Sequence, residues 1–398
     1  MALVLDRQRR PMERLRIITE PADWRDATAR VHAPGVLASH EYLAAAATLE
    51  TDGRAELAVW EDQGETLVHP YVRRPIPQAP GFSDITSAYE FGGLWTSSRD
   101  AAVNMRLARG FAEAFASYAR KSGIVSEFVR VHPFTDGGLA AHAYEVRHAA
   151  NHTVVDTARA QEGRAPYPTT LRQAIRKAER RGLRLEPADD FRPFVTLYHA
   201  NLDRLGARPY YYFPHSFFER LRGTLALYHV VDPQGRLCAA HVYLRDGARL
   251  FAFLCHGVRE RLDSRPNDFA YDRVIREAAN QGIGIVHLGG GQPSLLRYKT
   301  KFSSWTLPFY IGTRIYDEST YRALVVRHEA ALGAPVTSGF FPLYRAPRAT
   351  PGRPERNRSN EGEGHGEGED GDDGLNPALP RSNNPHDDGD DEGSAFQR

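Results

Sequence analysis

The chain has 398 residues, of which 41% are hydrophobic and 25% charged. This balance is typical of a soluble globular protein, and the length is sufficient for two domains. Two cysteines, Cys238 and Cys255, are too few for a disulfide framework or a four-cysteine zinc site, so we expect buried thiols in a reducing compartment. The formal net charge of +1 conceals an asymmetry: residues 355–398 hold thirteen acidic and four basic residues, which leaves +10 on residues 1–354. A basic body favours anionic ligands, although scattered surface arginines would give the same composition.

The two ends of the chain are distinct from its body. The start, "MALVLDRQRRPMERLRI", does not resemble a signal peptide, because its short apolar run precedes the charges, and Met12 is an alternative start. No stretch approaches the roughly 20 apolar residues of a membrane helix, so we expect a cytoplasmic protein. Residues 346–398 have almost no large apolar side chains, which predicts a disordered acidic tail.

The first half alternates strands and a helix. The segments "AELAVWED" and "ETLVHPYVRRP" (55–62 and 65–75) predict a hairpin, residues 101–123 a helix ending at Gly123, and 125–133 a strand. Between hairpin and helix lies "FSDITSAYEFGGLW" (82–95), which combines an acid, a hydroxyl, aromatic rings and a glycine pair. Such a stretch suits contact with a ligand, and it equally suits a structured loop.

The second half opens with a basic helix, predicted over 169–182. Arg172, Arg176 and Arg180 fall in one row, while apolar side chains face the other way. Arginine forks suit phosphate oxygens, although a solvated amphipathic helix would look the same. Two further helices follow, at 191–206 and 215–223, and the run "RPYYYFPHSFF" (208–218) is either a wall against a ligand or a packing layer.

Three antiparallel strands are then predicted over 225–258, followed by a helix at 267–282 and a strand that ends in Gly289–Gly291. Beyond the glycines, apolar spacing predicts a short helix that carries Lys299. This lysine either neutralises a phosphate or a developing oxyanion, or is a surface lysine on a core helix. His287 could act as a base, but a structural histidine is the more common case. No catalytic triad, metal-ligand spacing, dinucleotide fingerprint or Walker motif is present.

The mixture of meanders and helices predicts an α+β fold, and the two halves share an order of strand, hairpin, helix and strand. Five segments, in order, resemble the FemAB-type branch of the GNAT-like acyltransferases, in particular the BioF2-like acetyltransferases. They are "DITSAYEFGGLW", "SEFVRVHPF", "LRQAIRKAERRGLRLE", "HLGGGQPSLLRYKTKF" and "GFFPLYR". The resemblance covers roughly residues 15–346 and depends most on the glycine–lysine signature and on the order of the segments.

The resemblance implies two tandem GNAT-like (acyl-CoA N-acyltransferase) domains with a cleft between them. The first would span 12–150, with 318–345 returning to complete it; the second would span 151–317; the tail would be 346–398. It implies an N-acyltransferase that moves an acyl or aminoacyl group from acyl-CoA, or from aminoacyl-tRNA, to an amine on a small molecule, glycan or lipid-linked acceptor. No bound cofactor, metal or DNA is expected.

The family's motif lysine corresponds to Lys299, which would act in catalysis by stabilising charge at the substrate. The residues expected to bind substrate are Asp84, Tyr89, Arg176, Tyr212, Gly289, Gly290 and Gly291. The chain departs from the family pattern at Ala88, Glu90, Leu94 and Tyr298, which stand for Pro, Gly, Pro and Phe. These departures weaken the case for a peptidoglycan-precursor acceptor, and the absence of a heptad segment between 151 and 316 removes the arm with which some members contact tRNA.

Three functions remain open at this point. The first is acyl transfer by direct attack of an amine on the donor carbonyl, which needs no covalent enzyme intermediate. The second is an aminoacyl-tRNA-dependent peptidyltransferase of cell-wall peptidoglycan synthesis. The third is a non-catalytic module that binds an anionic ligand through the basic helix and the aromatic loop.

Overall fold

The computed structural model describes residues 14–134, 137–161, 167–336 and 339–347. The alternative start at Met12 and all but the first two residues of the predicted acidic tail lie outside this range.

Within these ranges, thirteen strands form one mixed sheet in the order β1-β2-β3-β4-β6-β13-β7-β12-β11-β10-β9-β8, with β5 paired to β3 at the side. The strands are β1 (Leu15–Ile18), β2 (Arg54–Asp62), β3 (Glu65–Pro75), β4 (Ser83–Thr86), β5 (Trp95–Thr96), β6 (Ile124–Arg130), β7 (Glu145–Asp156), β8 (Arg184–Ala188), β9 (Leu225–Val231), β10 (Leu237–Asp246), β11 (Arg249–Gly257), β12 (Ile285–Gly289) and β13 (Thr306–Ile315).

Eleven α-helices lie within the described ranges. They are α1 (Pro21–Thr28), α2 (His40–Ala47), α3 (Ala101–Lys121), α4 (Gly137–Ala141), α5 (Ala158–Gln161), α6 (Thr169–Arg180), α7 (Arg192–Leu205), α8 (His215–Arg220), α9 (Pro266–Asn280), α10 (Pro293–Lys299) and α11 (Glu318–Leu332). The predicted hairpins and helices are confirmed, and the α+β class with them. None of these helices combines the length and apolar character needed to cross a bilayer.

Helices cover both faces of the sheet because the central strands are apolar on both sides. Leu57 and Val59 of β2 pack in one cluster with α2, whereas Ala58 and Trp60 pack in a second cluster with α3. The strands of the second half repeat this alternation, with α7 and α8 on one face and α6 and α9 on the other. The sheet is therefore the middle of three layers.

One apolar cluster runs across the whole molecule, and we call it the shared core. It joins Trp24, Leu57 and Phe91 from the first half to Phe213 and Phe253 from the second. The sheet is continuous there as well, since β13 pairs with both β6 and β7. The predicted boundary at 150/151 falls inside β7, and the division into two domains stays a prediction.

The C-terminal segment returns to the first half. The Nε of Arg345 donates to Asp84 on β4 at 2.5 Å, and the Tyr344 hydroxyl lies 2.8 Å from Ser126 Oγ on β6. Ala346, at the start of the predicted tail, is buried, and its carbonyl lies 2.7 Å from His328 Nε2. The described chain thus ends against the first half.

Candidate active site

Two parallel strands diverge in the second half. β11 pairs with β12 only from Arg249↔Ile285 to Phe251↔His287, and β11 then continues without this partner to Gly257. The backbone beyond Phe251 is therefore open on the side that faces β12. Crevices at the carboxyl ends of parallel strands are the usual ligand-binding positions in sheets with helices on both faces.

A cavity of about 720 Å³ lies between α6 and the segments that follow these two strands. Its walls come from α6, from the start of α9 with the residues before it, and from the end of α10. Five cationic side chains line it against one acid, Asp268; the cations are Arg176, Lys177, Arg180, Arg265 and Lys301. Its electrostatic character therefore favours an anion.

The cations of the cavity differ in their partners. Lys177 forms an ion pair with Asp263 at 2.6 Å. Arg176, Arg180 and Arg265 form no ion pair with a carboxylate among the described residues. The N-terminus of the 15-residue helix α9 also faces this wall, and helix N-termini attract negative charge. The predicted basic helix therefore presents Arg176 to a concave site.

Lys299 is not on the surface. Its side chain is only 9% exposed, and its Nζ donates to the Gly290 carbonyl at 2.6 Å. It points away from the cavity lined by its neighbours Tyr298 and Lys301, because a buried helix end presents successive residues to different sides. Of the two sequence-based alternatives, the structure excludes a surface lysine, and the catalytic role of Lys299 stays a prediction.

Close contacts within the protein explain why two of the three positions are glycine. A Cβ on Gly290 would lie 2.9 Å from His152 Nε2, and a Cβ on Gly291 would lie 2.5 Å from a methyl carbon of Leu295. Gly289 has φ +78°, and its missing Cβ would come 3.5 Å from Lys299 Nζ. The glycines thus let backbone, His152 and Lys299 meet closely, and contact with substrate stays a prediction.

Glu90 is a buried carboxyl that sequence reasoning noted only as a departure from the family pattern. It is 7% exposed, and burial raises its pKa from 4.5 to about 8, against the opposing positive charges of Lys299 and Arg130. No described residue donates a hydrogen bond to its carboxylate. The Tyr42 hydroxyl nearby is buried and also has no partner among the described residues; burial and the Glu90 charge raise its pKa. The sequence signal that could have identified Glu90 is an acidic residue inside an aromatic, glycine-rich stretch.

A buried histidine pair lies behind the glycines. His152 Nδ1 and His287 Nε2 are 3.2 Å apart, and burial lowers the pKa of His152 to about 3 and that of His287 well below its usual value. Both rings are therefore neutral near pH 7. A base is most effective with a pKa near the working pH, so this geometry favours the structural interpretation of His287.

The remaining predicted site residues are held by contacts within the protein. Asp84 is 1% exposed and accepts from Arg74 Nε at 2.7 Å and from Arg345. Tyr89 is buried with its ring edge-on to Phe213 at 4.8 Å, and the Tyr212 hydroxyl donates to Asp203 at 2.9 Å. Packing and pairing explain these three positions without a ligand, and their substrate contacts stay predictions. No cluster of metal ligands occurs in the described part of the chain.

Comparison with known proteins supports this description. Residues 167–300 match the family model of an acetyltransferase (GNAT) domain. The chain is similar to the crystal structure of FemX at 13% identity and a TM-score of 0.59, over 77% of this chain and 99% of that one. It is also similar to a conserved protein of unknown function from Bacteroides thetaiotaomicron VPI-5482, at 13% identity and a TM-score of 0.50, over 75% of this chain and 99% of that one. No curated protein sequence matches it significantly.

Residues 167–300 thus form a GNAT-type acetyltransferase domain, and the surrounding fold is GNAT-like. The chain's particular version of that fold is the one seen in FemX, which confirms the predicted resemblance to the FemAB-type group.

Proposed function

We propose that the protein transfers an acyl group from acyl-CoA to an amine acceptor. The observation that carries this proposal is the cationic cavity between α6 and the segments that follow β11 and β12. A diphosphate or a ribose phosphate of the donor would be held by Arg176, Arg180 and Arg265 and by the N-terminus of α9.

The divergent strands would receive the donor's pantetheine arm. An extended amide-containing chain can pair with the open backbone of β11 between Ala252 and Gly257, much as an added strand would. The thioester would then lie near the end of β12, close to Gly289 and Lys299. The fixed ammonium of Lys299 would stabilise the negative charge that develops on the carbonyl oxygen when the amine attacks.

Calorimetric titration with acetyl-CoA, succinyl-CoA and palmitoyl-CoA tests donor binding. We expect the double variant Arg176→Ala/Arg180→Ala to weaken binding of the preferred thioester roughly tenfold or more, because two arginine–phosphate contacts are lost. Arg184→Ala is the matched control, since Arg184 is exposed on β8, pairs with Glu186 and lies outside the cavity. Its affinity should equal that of the wild type.

Turnover separates this function from its rivals. Release of free CoA with a panel of primary amines would support the proposal. Aminoacyl transfer from charged tRNA, without any thioester binding, would instead identify the peptidyltransferase alternative. Ligand binding with steep salt dependence and no turnover of any donor would identify a binding module and overturn the proposal.

A further inference from the structure

We propose that Glu90 is the base that accepts the proton of the acceptor amine as the amine attacks the donor. The inference depends on the proposed acyl transfer, and it gives a role to the most conspicuous departure of this chain from its family's pattern.

The backbone holds Glu90 in an uncommon conformation. Its φ is +42°, in the left-handed region that favours glycine and that costs other residues about 1 kcal/mol or more. The loop is fixed on both sides of it by β6: Ser87 N donates to Phe128 O at 3.0 Å, and Gly92 N donates to Arg130 O at 2.8 Å. A strained backbone that the surroundings over-determine is characteristic of functional positions.

The other buried carboxylates nearby are occupied by structural partners. Glu127 lies 2.7 Å from His69 Nε2 and also accepts from Tyr316, whereas Asp246 accepts from Val36 N at 2.6 Å. Asp84 accepts from two arginines. Glu90 has only the longer-range charges of Lys299 and Arg130, and no described residue donates a hydrogen bond to it. Neither Glu90 oxygen is among the fully enclosed, unpartnered side-chain atoms of the described residues, so the carboxylate keeps access for a small substrate group.

The groups that face Glu90 come from four parts of the fold. Lys299 lies at the end of α10, Arg130 at the end of β6 and Tyr42 on α2, while Tyr89 precedes Glu90 in its own loop. The Tyr42 hydroxyl, buried and without a partner among the described residues, supplies a second group able to bond an amine. Carboxylate and hydroxyl thus offer two groups able to hold an acceptor amine within the electrostatic reach of Lys299.

The chemistry balances without a further reagent. The amine lone pair forms the C–N bond, the carbonyl electrons move to oxygen beside Lys299, and the nitrogen becomes cationic. It then loses a proton to the Glu90 carboxylate. Collapse of the tetrahedral intermediate breaks the C–S bond, and the Glu90 carboxyl returns the proton to the thiolate of CoA. A carboxyl with a pKa of about 8 is well matched to both steps, because a thiol titrates near 8.5.

The first test does not depend on the donor. The full-length protein is treated with dicyclohexylcarbodiimide and methylamine, and the methylamides are mapped by mass spectrometry. Carbodiimides activate protonated carboxyls, so we expect Glu90 to be amidated readily at pH 7 and progressively more slowly as the pH rises through about 8. Glu127, which is buried but paired, serves as the internal control and should remain unmodified. Failure to modify Glu90 while surface carboxyls react would overturn the proposal, because an amine must reach this group.

The second test uses Glu90→Gln and Glu90→Gly, the latter chosen because glycine suits φ +42° and should fold at least as well as the wild type. With aniline, an amine that stays neutral near pH 7 and reacts only slowly with thioesters unaided, both variants should release CoA from acetyl-CoA at least 100-fold more slowly. They should also lose the acid limb of the kcat profile. Wild-type turnover in either variant would refute the role of Glu90. Absence of turnover in the wild type, together with amidation of Glu90, would instead count against acyl-CoA as donor and leave the amine site supported.

Discussion

Asp84 and Glu90 lie six residues apart, both buried, in the same segment between β3 and α3, yet their surroundings are opposite. Asp84 accepts from Arg74 and Arg345 and lies 3.2 Å from the Tyr344 hydroxyl. Glu90 has no such bonds, and burial raises its pKa to about 8. The difference shows that burial of a charge does not by itself mark function: a carboxylate with all its partners stabilises a fold, whereas one left without them is available for chemistry.

Replacement of Lys299 should give the largest effect. Lys299→Met keeps an unbranched side chain of nearly the same length but removes the charge near the reacting carbonyl, so we expect kcat to fall by roughly 10²–10³. Because Lys299 holds the pKa of Glu90 down, the acid limb should also move to higher pH. Lys301→Met is the control, since Lys301 lines the cationic cavity and should alter KM for the donor while kcat is kept. A kcat within threefold of wild type in Lys299→Met would remove this residue from the mechanism.

Asp84→Asn should be the most destabilising of the stability variants. Two guanidinium groups lose their shared partner, and breaking a buried ion pair costs about 3–5 kcal/mol. Urea unfolding would measure the loss. The control is Glu186→Gln, which breaks an exposed pair with Arg184 and should change the unfolding free energy by less than about 0.5 kcal/mol. A small effect at Asp84 would mean that this cluster is not structural.

Glu90→Gln should change stability in a pH-dependent way. The folded-state pKa of Glu90, about 8, lies above the unfolded value near 4.5, so its contribution is complete below pH 4.5 and is lost as the pH rises to 8. The variant should therefore lie within about 1 kcal/mol of the wild type at pH 5 and exceed it by roughly 4–5 kcal/mol at pH 9. Parallel denaturation curves at both pH values test this, and an equal difference at the two would show that Glu90 is not perturbed.

The smallest effect is expected at the glycine turn. In Gly290→Ala the new methyl group would meet His152 at less than 3.0 Å, which should destabilise the protein by about 1–3 kcal/mol. Gly284→Ala provides a matched control, because its Cβ would have open space and its φ is not positive. Differential scanning calorimetry would separate the two, and equal melting temperatures would contradict the tight approach of His152.

Local features of the fold were accessible from the sequence because they depend on short-range periodicity. The alternation in 55–75 predicts the β2–β3 hairpin, and the apolar stripe with a following Gly123 predicts α3. The insertion of β13 between β6 and β7 was not accessible, since it joins strands about 180 residues apart. Pairing over such distances leaves no local pattern.

The residues of the candidate site also fall into those that the sequence could identify and those that it could not. The glycine turn, Lys299 and Arg176 were found because they belong to an ordered set of motifs. Glu90 was passed over because the family has glycine there, and the partner that distinguishes Asp84 from it, Arg345, lies 261 residues further along the chain. Whether a buried acid is paired is decided by tertiary contacts, which a single sequence does not display.

The shared core has a mechanical consequence. Rings from both halves meet in it, among them Tyr89 with Phe213 at 4.8 Å and Phe91 with Phe251 at 5.7 Å. Separating the two halves would expose this apolar surface to water, at a free-energy cost of about 25 cal/mol per Å². A large hinge motion between the halves is therefore disfavoured. The proposed catalytic groups should therefore be in position before substrate binds. Motion of the loops around the site should set the rates of substrate binding and product release.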